Sequence, residues 1–215
     1  MAAQRSAPLA AQIFQAAWMS IALGITIEIA LIVAAAVFGK SGDLRPFIAD
    51  LAGKVSWSVL VCVGISIGTV AARARGPVMG VLGLFAAPTA FTVAKAAHKS
   101  AAAALDIAVA ASSGPSAGQM MLIRAAEYGL LGLAAGYVSR RPWGRLPVFA
   151  LMGFTIGVIA AAIIVLVTVR TAATPPPPLA LVSKTINEVL FPLGCSIVLF
   201  AANALGQRTR LAVAT

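Results

Sequence analysis

The chain has 215 residues, of which 60% are hydrophobic and only 10% charged, with a mean hydropathy of +0.98. A water-soluble domain carries about 25% charged residues, so this composition excludes an ordinary soluble globule and points to apolar runs of about 20 residues that cross a bilayer. The net charge of +10 comes with no aromatic-basic surface segment, so its expected partner is the lipid bilayer with its anionic head groups, and not nucleic acid.

Six apolar runs follow in chain order, at 13–38, 54–72, 77–95, 119–138, 146–169 and 179–205. Trp18 sits near the entry of the first as an interfacial anchor. Ala34-Ala35-Ala36 imitates a signal-peptidase site, but the run before it exceeds the about 7–15 residues of a signal core and contains Glu28. It reads as a retained span. Asp43 and Pro46 then suit a helix start, and Leu44, Phe47, Ile48 and Leu51 share one face, which predicts a short amphipathic interfacial helix.

The second span stops at Arg73-Ala74-Arg75-Gly76-Pro77, and the third carries Pro88 as an expected kink. Beyond Lys95, His98 and Lys99, the stretch 101–111 predicts a second weakly amphipathic outer helix, and 112–118 a loop. The fourth span ends at an arginine-rich turn, 139–145. Pro175–Pro178 form a stiff connector between the fifth and sixth.

The expected fold is therefore all-α, a polytopic integral membrane protein. Residues 1–215 form a single transmembrane domain of six helices arranged as three hairpins, with short amphipathic helices in the outer loops. Six spans place both termini on one side. That side holds Arg5, Arg73, Arg75, Arg140, Arg141, Arg145, Arg208 and Arg210, eight of the sixteen Lys and Arg. The positive-inside count is thus a tie, and clustering of these arginines in short acid-free loops places both termini in the cytoplasm and the chain in the cell inner membrane. Each returning helix opens with a base, namely Lys54, Arg124 or Lys184, and Gly24–Ile27 (GITI) echoes Gly153–Ile156 (GFTI). These features suggest a threefold repeat of hairpins, of the kind common in transporters.

The six acids divide by position. Asp43, Asp50 and Asp106 lie in outer segments, whereas Glu28, Glu127 and Glu188 lie inside spans. At about 1.5 Å per residue, the glutamates sit roughly 12–15 Å from the outer helix ends and could share one layer. Arg124 precedes Glu127 by three residues and Lys184 precedes Glu188 by four, spacings that allow contact on one helix face. Ionisable groups at such depth face a bundle interior or a wet cavity.

The functional expectation is an outward-open polar vestibule. Glu28, Glu127 and Glu188 form its floor and Lys54, Lys95, Arg124 and Lys184 its rim, with Asn187 beside Glu188. Pro192 frees a backbone carbonyl, a device used for coordination in broken transporter helices. Such carboxylates carry protons or bind cations, while the basic rim attracts an anion. The bland alternative is that these groups are interhelical ion pairs that fix the packing.

Gly64-Ile65-Ser66-Ile67-Gly68 matches a nucleophile elbow but lies in an apolar helix, without the strand-to-helix turn that motif needs. Gly64 and Gly68, Gly132 and Gly136, and Gly153 and Gly157 read instead as small-residue packing faces. His98 is the only histidine and reads as a solvated interfacial side chain. Trp18, Trp57, Trp143 and Tyr137 read as belt anchors, and Cys62 and Cys195 as small buried hydrophobes. No nucleophile–base set, metal-ligand pattern or cofactor fingerprint emerges, so an enzyme is not expected.

Two functions remain. One is a small transporter or channel, proton- or cation-coupled through the glutamate layer. The other is a non-catalytic subunit or scaffold that packs, through its glycine faces, against a larger membrane complex or further copies of itself.

Overall fold

The computed structural model describes residues 3–38, 45–70, 74–108, 115–172 and 174–214. Asp43, Leu44, Arg73 and 109–114 lie outside the described residues. Six helices account for most of the rest: α1 (Ala3–Val37), α2 (Arg45–Ile67), α3 (Arg75–Ala104), α4 (Ala117–Val138), α5 (Leu146–Thr171) and α6 (Pro178–Ala214). A single 3-10 turn, Gly68–Val70, extends α2. Among the described residues there is no strand.

The helix starts follow local chemistry. Pro46, Pro77, Pro147 and Pro178 each stand in a first turn, where the missing N–H costs nothing and the fixed φ suits a helix. α4 uses a capping box instead: Ser116 Oγ accepts from the Gln119 N–H at 3.2 Å, and the Ser116 N–H donates back to Gln119 Oε1 at 2.9 Å.

The two separate outer helices expected from sequence are absent among the described residues. Residues 45–51 form the first turns of α2, and 101–104 the last turns of α3. Extending a helix adds a hydrogen bond for each residue fixed, whereas a new helix needs a costly nucleus, and the one proline in either stretch, Pro46, stands in a first turn, where a helix tolerates it. α3 ends in a turn at Asp106, whose φ of 53° is one that aspartate tolerates. α6 also runs unbroken through Pro192, so the expected break is replaced by the loss of one hydrogen bond, at the Glu188 carbonyl.

Five helices, α1, α2, α3, α5 and α6, are long and apolar enough to cross a bilayer. The chain is thus compatible with a multi-pass membrane protein. α4 has 22 residues, but Arg124 and Glu127 interrupt its apolar run, and it is not one of the five. Each helix packs on the next in sequence, and α1 packs on α6 to close the ring. α6 also reaches α2 and α4, and half of its most apolar stretch is buried, a larger share than in the other four.

Polarity is distributed inside out. Phe14, Ile25, Ile29, Phe85, Phe154, Ile159 and Ile163 are exposed, whereas Ser20, Glu28, Ser58, Glu127, Glu188, Ser196 and Asn203 are buried. A folded chain in water reverses that distribution.

Glycines let the backbones approach. A methyl on Gly136 would come within 2.5 Å of the Gly76 Cα, and one on Gly132 would meet the Met79 carbonyl, both across the α3–α4 seam. Gly64 and Gly68 of the α2 segment face Ala86 and Met79 of α3. Gly153 and Gly157 face the backbone of α6 at Pro192, Glu188 and Val189. All six glycines singled out from the sequence therefore face contacts within the chain. Gly132→Leu should part α3 from α4 and lower stability by about 1–3 kcal/mol, as overpacking does. Gly118→Ala, which meets nothing within 4 Å, should leave the thermal midpoint in detergent unchanged; equal midpoints for both variants would contradict the close seam.

Candidate functional site

Among the described residues, two ion-pair clusters lie at one end of the bundle. In the first, Lys54 Nζ of α2 pairs with Glu28 Oε2 of α1 and lies 3.9 Å from Asp50 Oδ2, one turn earlier on its own helix. Asp50 Oδ1 lies 3.1 Å from His98 Nδ1 of α3. The sequence Glu28–Lys54–Asp50–His98 thereby ties α1, α2 and α3 together.

The second cluster centres on Arg124 of α4. Its Nη1 donates to Glu127 Oε2 at 2.9 Å and also contacts Glu188 Oε2 of α6, while Nη2 donates to Glu188 Oε1 at 2.6 Å. Glu188 thus accepts one charge-assisted hydrogen bond at Oε1 and holds the guanidinium by ion contact at Oε2, and charge-assisted contacts are the strong ones. Glu28, Glu127 and Glu188 are 3%, 6% and 3% exposed, so each needs a partner or a proton.

A cavity of about 620 Å³ joins the clusters. Its wall takes the C-terminal ends of α1 and α3 and the N-terminal ends of α2, α4 and α6. All four expected rim bases, Lys54, Lys95, Arg124 and Lys184, line it, as do Asn187 and Glu188. Phe47, Trp57, Phe91 and Phe191 give it apolar walls.

The three glutamates do not form one floor. Glu188 faces the cavity, whereas Glu28 and Glu127 are absent from its wall and pair with two of its bases, Lys54 and Arg124. Lys184 does not pair with Glu188 as its spacing suggested. Arg124 occupies both oxygens of that carboxylate, and Lys184 has no ion-pair partner among the described residues.

Four site residues escaped the sequence reading. Trp57, expected as a belt anchor, is 7% exposed; the Arg124 guanidinium lies over its ring at 5.1 Å, and Tyr128 meets it edge-on at 5.4 Å. Tyr128 is fully buried. His98, expected to be solvated, and Asp50, assigned to an outer loop, meet at the cavity wall. Helical spacing held the signal: Asp50 and Trp57 flank Lys54 at four and three residues, and Tyr128 follows Arg124 by four. Trp18, Trp143 and Tyr137 are exposed, as belt residues are.

Several buried polar atoms here lack a hydrogen-bond partner among the described residues: Glu28 Oε1, Glu127 Oε1, Glu188 Oε2, Arg124 Nε, Tyr128 OH and Asn187 Oδ1. At the other end of the bundle the helices are cross-linked. Arg75 Nη1 donates to Asn203 Oδ1 at 3.0 Å, and Thr69 Oγ1 donates to Gln12 Oε1 at 3.3 Å. Tyr128, Leu131, Ile65 and Leu199, all fully buried, belong to the core cluster that fills the bundle.

Arg124→Gln leaves two buried carboxylates without a cation, a change that costs about 3–5 kcal/mol in buried pairs. The triple variant Arg124→Gln, Glu127→Gln, Glu188→Gln should regain most of that stability in detergent unfolding. A triple variant as unstable as the single one would mean that the ion triad does not hold α4 to α6.

Among the described residues no three His, Cys, Asp or Glu side chains gather as a metal-ligand set. Comparison with protein-family models, with curated proteins and with solved structures finds no match for this chain, so its geometry alone carries the functional argument.

Proposed function

We propose that the chain is a small transport protein of the cell inner membrane, coupled to protons through its buried glutamates, with six spans arranged as three hairpins. The carrying observation is one cation in the wall of a cavity, Arg124, shared by two buried carboxylates, of which Glu188 faces the cavity. When Glu127 and Glu188 are both ionised, their triad with Arg124 has a net charge of −1; a single proton brings it to zero. An uncompensated charge in a water-poor bundle is costly, so this is a natural place to take up and release a proton. Glu127 Oε1 is buried and unpartnered, which leaves an acceptor for it.

Other features support the reading. α4 exposes Leu122, Leu130, Leu133 and Tyr137 while turning Glu127 inward, as a span with a lipid face and a polar face would. The alternating C-terminal and N-terminal ends around the cavity favour hairpin order. A cavity at one end and cross-links at the other suit alternating access. In this orientation the termini are cytoplasmic and the cavity opens outward. The glycine faces that suggested a subunit packed against a partner are used within the chain, which favours the transport reading.

The test is solute-driven proton movement into proteoliposomes holding a pH-sensitive dye, across a panel of organic ions. Glu127→Gln and Glu188→Gln should abolish coupling, and Glu28→Gln should reduce it by releasing Lys54. Unchanged flux in all three variants would remove the proposed mechanism.

A further inference from the structure

We infer that the cavity binds a small organic anion with an apolar or aromatic body, held chiefly by Lys184 with help from Lys95. Its role as cargo rests on the transport reading; its binding does not. Of the four bases in the wall, Lys54 and Arg124 are already engaged by buried carboxylates. Lys184 on α6 and Lys95 on α3 have no ion-pair partner among the described residues, and both line the cavity. The two acids of the wall are occupied: Asp50 faces Lys54 and His98, and Glu188 faces Arg124. Among the described residues, both carboxylates of the wall thus already face a base, whereas the Lys184 and Lys95 ammonium groups have no ion-pair partner and are open to an anion.

The remaining lining narrows the class. Phe47, Phe91, Phe191 and Trp57 supply apolar and aromatic surface on three helices, which a bare inorganic ion cannot use. A volume of about 620 Å³ lies within the range of about 300–1,000 Å³ typical of small-molecule sites. Asn187 follows Lys184 by three residues and lines the same cavity, and its buried Oδ1 has no donor. A ligand that carries a hydroxyl or amino donor besides its charge satisfies both groups. 4-Hydroxybenzoate has these features, and tyramine is a matched cation with a similar body.

The experiment is calorimetric titration of the full chain in phosphatidylcholine nanodiscs. Trp57 fluorescence serves as a second readout in a Trp18→Phe, Trp143→Phe background, which removes the other two of three tryptophans. 4-Hydroxybenzoate should bind saturably and perturb Trp57, while tyramine, chloride and phosphate should not. Lys184→Gln should weaken binding at least about tenfold, the scale of one hydrogen bond to a charged group, and Lys184→Arg should restore it. Arg170→Gln removes an exposed base from the last turn of α5 and should change nothing.

Equal binding of tyramine, or equal losses in Lys184→Gln and Arg170→Gln, would overturn the proposal. So would phosphatidylglycerol nanodiscs in which the anion no longer binds, because the occupant would then be a lipid head group. Anion binding with flux indifferent to the glutamate variants would sink the transport reading alone. Proton-coupled flux of some other solute without anion binding would sink this inference alone.

Discussion

One guanidinium holds the centre of the molecule. Arg124 reaches from α4 to Glu188 on α6 while keeping Glu127 on its own helix, so two elements 64 residues apart meet at a fixed depth. The contact determines more than packing. It takes Glu188 away from Lys184, leaves Lys184 to the cavity, and sets its own positive plane over Trp57. The Trp57 ring then carries the constraint to α2, where Lys54, one turn away, is held by Glu28. Cation–aromatic contacts of this kind gain strength when shielded from water. The two ion-pair clusters are therefore linked through the Trp57 ring.

Glycine provides the other half of the architecture. Ion pairs need close, unvarying distances, and long apolar helices alone do not supply them. Gly76, Gly132 and Gly136 bring α3 and α4 into backbone contact, and Gly153 and Gly157 do so for α5 and α6. Without a hydrophobic driving force between helices in lipid, such close fit is the principal source of association. Gly24, the first residue of the GITI segment, abuts Val55 on α2, just as Gly153, first of GFTI, abuts α6. The local echo thus has a common packing role. The three opening bases differ, however: Lys54 pairs with α1, Arg124 with α6, and Lys184 with no acid among the described residues.

Much of this was legible in the residues because long apolar runs broken by a few charges are a simple code. Six apolar runs marked the six helices, although α1, α2, α3 and α6 each extend well beyond one end of the run, and the bases that interrupt those runs lie in the cavity wall. Two kinds of information were not legible. Helix length beyond the apolar run depends on propagation energetics, so 45–51 and 101–104 looked like separate elements but continue α2 and α3. Partner choice among charges depends on which helices are neighbours. Lys184 and Glu188 share a helix face, yet the flat fork of Arg124 outcompetes the flexible amine for that carboxylate. Trp57 was misplaced for the same reason: an aromatic near a span's end is an anchor or a wall depending on rotation about the helix axis.

Pro192 gives the site a mechanical property. With no N–H at residue 192, the Glu188 carbonyl loses its partner along the helix, and Gly157 of α5 packs beside it without a side chain. The residue whose carboxylate grips Arg124 is therefore attached to the softest turn of α6. A pull on that carboxylate bends the helix there at lower cost than at any neighbouring turn. The neighbouring surface of α5 is smooth there, because Gly153 and Gly157 present no side chain to α6.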